Sequence, residues 1–220
     1  MADLRLPVQR MAGLVGHLSS PERLRADAFH RRADRERYVA ARGLLRELLG
    51  TELALDAKQV PLVVDAQGKP MLDPSHGLVD LRFNASRSGQ RALFAYAIGR
   101  PVGVDVEQVR GLDLEGVAAG ALSERELTAW RALPAPEQDP AFFAIWARKE
   151  AYVKGQGTGL AMGLERVEPR PAGEPGRHLV LDPDGDSPPW TVVDVEVTGG
   201  YAGAVAAEGE DWALTVRAAP

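Results

Sequence analysis

The chain has 220 residues, 45% of them hydrophobic and none of them cysteine. That is enough for one compact domain or two lobes of about 100 residues each, and it excludes disulfides and thiolate-bound zinc. A formal net charge of −5 argues against non-specific nucleic-acid binding. No stretch approaches the ~20 apolar residues of a membrane span, and the opening Met-Ala-Asp-Leu-Arg-Leu-Pro lacks the apolar run of a signal peptide, so a cytoplasmic protein without membrane association is expected.

Hydrophobic periodicity and turn residues predict, in chain order, helices over 21–30 and 31–49, then strands over 60–65, 79–84, 91–98 and 102–107. Helices over 113–120, 123–132 and 139–155 follow, and strands over 177–181, 190–197, 201–207 and 212–217 end the chain. The order is that of an α+β fold. Two alanine-rich strands, Ala92–Ile98 and Tyr201–Ala206, are similar enough to suggest an internal duplication, although alanine-rich strands also resemble one another by chance.

The first helical pair is strongly basic. Between Arg23 and Arg46 eight arginines stand against three acids, a local net of +5, which suits an anionic partner. The second helix is expected to end at Gly50, with Tyr38, Ala41, Leu45 and Leu48 as its core stripe and Arg35, Arg42 and Arg46 along another face. A solvated arginine face is the plain alternative.

Two later segments carry the chemistry. In Gly103-Val-Asp-Val-Glu107, Val102, Val104 and Val106 alternate with Gly103, Asp105 and Glu107, so a period of two sends both carboxylates to one side of a strand. In Trp146-Ala-Arg-Lys-Glu-Ala-Tyr-Val-Lys154, the helical stripe Phe143, Trp146, Ala147, Glu150, Ala151 and Lys154 ends in a carboxylate and an ammonium. Two carboxylates ~6 Å apart repel by roughly 3 kcal/mol at an effective dielectric near 20, so the strand, with a third acid nearby, favours a divalent ion. Oxygen donors without cysteine or clustered histidine point to Mg²⁺ shared with a phosphate. Taken singly, each segment also fits a solvated acidic face and an ordinary i,i+4 Glu–Lys pair.

Together the segments resemble the signature pair of the Sfp-type 4′-phosphopantetheinyl transferases, a Gly-x-Asp-x-Glu strand followed by a Trp-x-x-Lys-Glu-Ala helix with a further lysine. Gly157-Thr-Gly159-Leu160, Gly68-Lys69-Pro70 and Phe83-Asn-Ala-Ser-Arg-Ser-Gly89 match further blocks of the family, in its order, over about Arg23 to Leu160. Several ordered blocks are specific where any one is weak. One departure is Arg87, where the family usually carries a histidine that touches a coenzyme A phosphate; arginine keeps the charge and offers a phosphate-shaped fork.

The resemblance implies two pseudo-symmetric α/β lobes, 1–100 with a basic coenzyme A-binding helix and 101–220 with the metal site and a carrier-docking region. It implies transfer of the 4′-phosphopantetheine group of coenzyme A to a serine of an apo acyl or peptidyl carrier protein, with release of adenosine 3′,5′-bisphosphate. Mg²⁺ would be held by Asp105, Glu107 and Glu150, with Glu150 and Lys154 as the catalytic residues. Coenzyme A would be held by Arg25, Arg37, Arg42, Lys69, Ser86, Arg87, Asp105 and Lys154. The carrier is expected beside residues 111–130, on Leu112, Leu114, Val117 and Leu122 with Arg125 and Arg131, and the enzyme is expected to be a monomer. The rival readings are a Mg²⁺-dependent nucleotide hydrolase and a non-catalytic coenzyme A or carrier-binding protein. Fatty-acid, polyketide and peptide-synthetase carriers share the same modified serine and are not distinguished.

Two other signals are set aside. Asp182-Pro-Asp-Gly-Asp186 lacks the final glutamate of a calcium loop and is expected to be a hairpin turn, and Gly155-x-Gly157-x-Gly159 follows a helix, so it is a cap and loop and not a dinucleotide fingerprint.

Overall fold

The computed structural model describes residues 1–65, 68–77, 80–157, 163–181 and 188–219. It divides into two compact units, one of Met1–Asp80, Gln90–Ala92 and Arg217–Pro220 and one of Leu81–Gly89 and Leu93–Val216. Helices and antiparallel sheet coexist, as the α+β reading requires. Among the described residues no helix is long and apolar enough to cross a membrane.

In the first unit, strand β1 (Ala2–Asp3) pairs antiparallel with Arg91–Ala92, and helices α1 (Val8–His17), α2 (Ser20–Asp27) and α3 (Arg32–Leu53) follow. A hairpin of β2 (Leu62–Val64) and β3 (Pro70–Leu72) ends it. Helix α2 starts at a capping box in which Ser19 and Glu22 satisfy each other's backbone N–H groups. Helix α3 runs past the expected stop at Gly50 to Leu53 and ends on a left-handed Ala54. Its buried side is Tyr38, Val39, Ala40, Leu44, Leu45 and Leu49, with Ala41 and Leu48 only half-buried, so the stripe is rotated from the expected one.

The second unit contains β4 (Leu81–Ser88), most of β5 (Arg91–Ile98), β6 (Val102–Gln108), helices α4 (Glu115–Ala121), α5 (Glu124–Arg131) and α6 (Ala135–Gln156), and strands β7 (Arg170–Pro171), β8 (Arg177–Val180), β9 (Trp190–Val197) and β10 (Tyr201–Glu208). A five-stranded antiparallel sheet has the order β6-β10-β9-β8-β7, and its register sets Asp105, Ala204 and Asp194 in one row. Helix α6 is buried on two sides. Its Ala147, Ala151, Tyr152 and Val153 pack with Trp190, Val192, Ala204 and Ala206 of the sheet, while Phe142 and Phe143 pack with Leu114, Ala118, Leu122 and Trp130.

The expected strand over 212–217 is absent. Trp212-Ala-Leu-Thr-Val-Arg217 alternates suitably, but the segment is irregular; a strand needs a paired neighbour as well as a pattern. Helix α1 and strand β3 were not anticipated, because α1 starts at Pro7 without a side-chain cap and buries only Leu14. The turn expected at Asp182–Asp186 and the loop at 158–160 lie outside the described residues. Helix α6 does end at a left-handed Gly157, as the cap reading expected.

Two glycines set how closely α6 lies on the sheet. A Cβ on Gly103 would stand 1.9 Å from the Ala151 carbonyl oxygen and 2.4 Å from the Gly155 nitrogen, and one on Gly155 would strike the Trp190 ring at 2.4 Å. At Gly103 the obstacle is helix backbone, which cannot turn aside as a side chain can. Gly103→Ala is therefore expected to cost about 3 kcal/mol, at the upper end of overpacking, and to lower Tm by roughly 6–12 °C at ~2–4 °C per kcal/mol. A melting curve within a degree or two of wild type would show that α6 can lift from the strand without cost.

Candidate active site

The alternation read in Gly103–Glu107 is realised. Val102, Val104 and Val106 are buried on one face of β6, and Gly103, Asp105 and Glu107 face α6. Asp105 is fully buried, and one of its oxygens, Oδ1, accepts from Lys154 Nζ at 2.5 Å and from Ser86 Oγ at 2.7 Å. Its other oxygen, Oδ2, is buried with no hydrogen-bond partner among the described residues. Lys154 also lies 3.3 Å from Ser86 Oγ and 3.9 Å from Glu150 Oε2. Glu107 Oε2 accepts from Ser88 Oγ at 2.8 Å. Asp105, Glu107, Glu150, Lys154 and Ser86 are thus brought together, all within the second unit.

Strand β4 is stitched to β6 by side chains. The backbone N–H of Val104 donates to Asn84 Oδ1 at 3.1 Å and that of Gln108 donates to Ser88 Oγ at 3.1 Å, so Asn84 and Ser88 of β4 satisfy edge donors that a strand must not leave buried and bare. The same alternation places Arg87 on the opposite face from Ser86 and Ser88. Arg87 is exposed and lies inside β4 rather than in a turn.

The patch is short of positive charge. Burial pushes the Glu107 carboxyl above the ordinary glutamate value and Asp105 adds to the push, against Ser88, Lys154 and Arg110. Burial likewise raises Glu150, with Lys154 opposing and Asp105 and Glu107 adding to the rise. Among the described residues no three acidic or histidine side chains converge closely enough to chelate an ion as they stand. The donor set nonetheless fits a hard cation: a bare buried oxygen, two under-compensated carboxylates and no sulfur.

In the first unit the basic residues sort themselves. The guanidinium carbons of Arg25 and Arg42 lie 5.9 and 6.0 Å from the Tyr38 ring centroid, so these two are gathered at one aromatic side chain. Arg37 is engaged with Asp34 at 2.5 Å. Arg46, expected on an outward basic face, is buried: it donates to Glu22 Oε2 at 2.7 Å and to the carbonyls of Ala57 and Val60 at 3.1 and 3.0 Å. The backbone N–H of Lys69 donates to Asp65 Oδ1 at 2.8 Å across the turn of the β2–β3 hairpin.

Comparison with known proteins decides the family. Residues 101–215 match the model of the 4′-phosphopantetheinyl transferase superfamily, and residues 8–98 match that of the 4′-phosphopantetheinyl transferase N-terminal region. The chain belongs to the 4′-phosphopantetheinyl transferase superfamily, in its Sfp type. It is similar to 4′-phosphopantetheinyl transferase HetI of Nostoc sp., with 34% identity over 207 residues covering 94% of this chain and 85% of that protein. To 4′-phosphopantetheinyl transferase Sfp of Bacillus subtilis it is 28% identical over 210 residues, covering 96% and 91%. The crystal structure of Thermotoga maritima holo-[acyl-carrier-protein] synthase overlaps 49% of this chain and 62% of its own at 24% identity, with a TM-score of 0.40 that is too low to add to the assignment. The activity is transfer of phosphopantetheine to carrier proteins with coenzyme A as donor, and the hydrolase and binding-only alternatives find no support in these matches.

Two features of the transferase were not legible beforehand. Lys149, beside Glu150 in the signature, points away from the acidic patch and is fully buried, with its Nζ 2.5 Å from Glu126 Oε2 and donating to the carbonyls of Ala121 and Leu164 at 2.9 and 3.0 Å. Of the four apolar residues expected to meet the carrier, Leu114 and Leu122 are core residues beside Trp130 and Phe142, and Leu112 and Val117 are exposed. Arg125 is paired with Glu168 at 2.7 Å, which helps hold that carboxyl at about 2, and Arg131 is paired with Glu115.

The raised carboxyls give a pH test. A carboxyl whose folded pKa lies above its unfolded value stabilises the fold most when protonated, and that contribution is lost as the pH rises through the folded value. Glu107→Gln and Glu150→Gln should each raise the Tm of metal-free protein at neutral pH. The gain should disappear below about pH 4, where the wild-type carboxyls are protonated in both states. A metal-free melting series in which both variants melt below wild type at neutral pH would show that the carboxylates are already compensated.

Proposed function

We propose that the transferase works with Mg²⁺ held by Asp105, Glu107 and Glu150, and that Glu150 and Lys154 carry the chemistry. The observation behind this reading is the buried Oδ2 of Asp105, without a hydrogen-bond partner among the described residues, near two carboxyls whose charged form burial disfavours. When bound, Mg²⁺ would neutralise diphosphate oxygens of coenzyme A and orient them for in-line displacement.

The hydroxyl oxygen of the carrier serine forms a bond to the phosphorus nearer the pantetheine. The bond from that phosphorus to the bridging oxygen breaks, and its electron pair leaves with adenosine 3′,5′-bisphosphate. Glu150 accepts the serine proton. Lys154, already seated on Asp105 Oδ1 and Ser86, supplies positive charge towards the oxygen that becomes negative. Ser86 and Arg87 of β4 and Arg25, Arg37, Arg42 and Lys69 of the first unit are the proposed phosphate contacts. Arg25 and Arg42 are the better supported of the basic set because they share Tyr38, whereas Arg37 would have to leave Asp34. The exposed Leu112 and Val117 are what remains of the proposed carrier surface. The division into lobes 1–100 and 101–220 is supported by family matches that stop at residue 98 and resume at 101. Each chain is proposed to act as a monomer of 23.7 kDa.

Incubation of an apo carrier protein with enzyme, coenzyme A and Mg²⁺ should add the phosphopantetheine mass to the carrier, and chelator should abolish the gain. Lys154→Ala should lower kcat by roughly 10²–10³-fold, as expected for loss of one group aimed at developing charge, and raise KM for coenzyme A less. Full modification in chelator would sink the metal assignment, and a Lys154→Ala enzyme with near-normal kcat would remove Lys154 from the chemistry.

A further inference from the structure

Ser88 belongs to a row of three β4 side chains facing β6, and the three do different things. Asn84 accepts from the Val104 N–H and, among the described residues, donates to no carboxylate. Ser86 donates to Asp105 and lies beside Lys154. Ser88 does both jobs at once, accepting from the Gln108 N–H at 3.1 Å and donating to Glu107 Oε2 at 2.8 Å. A hydroxyl has one proton to give. Because the Gln108 N–H fills a lone pair of Oγ, the Ser88 proton is directed towards Glu107.

We propose that Ser88 is a positioning residue for the metal site, using the fixed backbone of β6 to aim the Glu107 carboxylate at the ion. The proposal rests on the reading of Glu107 as a metal ligand. A glutamate on a strand edge has three side-chain torsions to order before it can coordinate. A hydrogen bond to one carboxylate oxygen fixes those torsions and leaves the other oxygen for the cation, and outer partners of this kind typically change metal affinity by 10–100-fold. Serine is suited to the place because Oγ must reach a backbone N–H and a carboxylate together. Alanine offers neither bond, and threonine keeps both.

Mn²⁺, followed by electron paramagnetic resonance in a titration of the full chain without coenzyme A, reads the site independently of turnover. Ser88→Ala should bind Mn²⁺ on the order of ten-fold more weakly than wild type, and Ser88→Thr should restore affinity to within about two-fold of wild type. If Ser88→Ala does not fold by circular dichroism, Ser88→Cys, of similar shape with a weak donor, takes its place with the same expectation. Asn84→Ala separates positioning from stitching, since it breaks the same seam without touching Glu107: it should lower Tm and leave Mn²⁺ affinity unchanged. Wild-type affinity in Ser88→Ala overturns the proposal and leaves the metal reading standing. Equal weakening in Ser88→Ala and Asn84→Ala also overturns it, because Ser88 would then act only by holding two strands together. A wild-type protein that binds no Mn²⁺ overturns the metal reading and the Ser88 proposal with it.

Discussion

A carboxylate with no access to water lies between β6 and α6, and the second unit is arranged around it. Asp105 cannot be left alone there, since an ionised group without partners costs several kcal/mol to bury. The sequence supplies Lys154 from the last turn of α6 and Ser86 from β4, and both reach the same oxygen. That leaves Oδ2 bare. A protein selected only for stability would have replaced the aspartate with an apolar residue of similar size, because a buried pair seldom outperforms good packing. Here the cost is kept, at a carboxylate whose neighbours are Lys154, Ser86 and two further acids. The close approach of α6 serves the same end, because without Gly103 and Gly155 the helix would stand off from the strand and Lys154 would lose Asp105.

Helix α6 divides its signature residues between two tasks. Trp146 touches both apolar clusters. Lys149 turns inward, and burial lowers its pKa while the Glu126 carboxylate works to hold its charge. Its three partners come from α4, α5 and the short turn after residue 163, so one ammonium fixes several chain segments to α6. Removing one partner of such a pair strands the other, which typically costs 3–5 kcal/mol. Glu150, one residue on, is turned by ~100° around the helix axis and faces the acidic patch. Lys149 and Glu150, adjacent in the sequence, therefore meet different surroundings: the lysine is locked into the core and the glutamate stands beside Lys154, Asp105 and Glu107. On the far side of the same helix, Arg148 meets Asp194 of β9 through two bonds of 2.7 and 2.8 Å, and Asp194 shares a sheet row with Asp105. Burial works to raise the Asp194 carboxyl, but His178 and Arg148 outweigh it and hold it at about 2. Opposite ends of one row are thus each fastened to α6 by a cation.

The acidic patch was legible because alternation and helical spacing are local rules. Val102 to Glu107 can only be a strand with its carboxylates on one side, and Glu150 and Lys154, four residues apart, can only share a helix face. What such rules omit is the neighbour. Nothing local to Phe83–Gly89 says that Asn84, Ser86 and Ser88 will stitch two strands, and Arg87 is sent to the other face because β4 runs on to Ser88, past the expected strand end at residue 84. The expected strand at 212–217 fails for the same reason, since its pattern is intact and it pairs with no strand among the described residues. Leu114 and Leu122, expected as apolar contacts for the carrier, are drawn inward by Trp130 and Phe142, residues that a local pattern cannot weigh.

The basic stretch of the first unit shows the same limit in charge. Counting arginines establishes that the segment is positive, but Arg42 and Arg46 have the same spacing relation to the helix and end in different roles. Both reach Glu22, Arg42 at 3.5 Å and Arg46 at 2.7 Å, yet only Arg46 goes on to the carbonyls of Ala57 and Val60 and is sealed in. Guanidinium has five donors, and a buried arginine must spend nearly all of them on fixed acceptors. One that spends few on protein and lies over an aromatic ring keeps donors for a ligand. Arg46 therefore fastens the region after α3 to the helix, while Arg42 stays with Glu22 and is gathered with Arg25 at Tyr38.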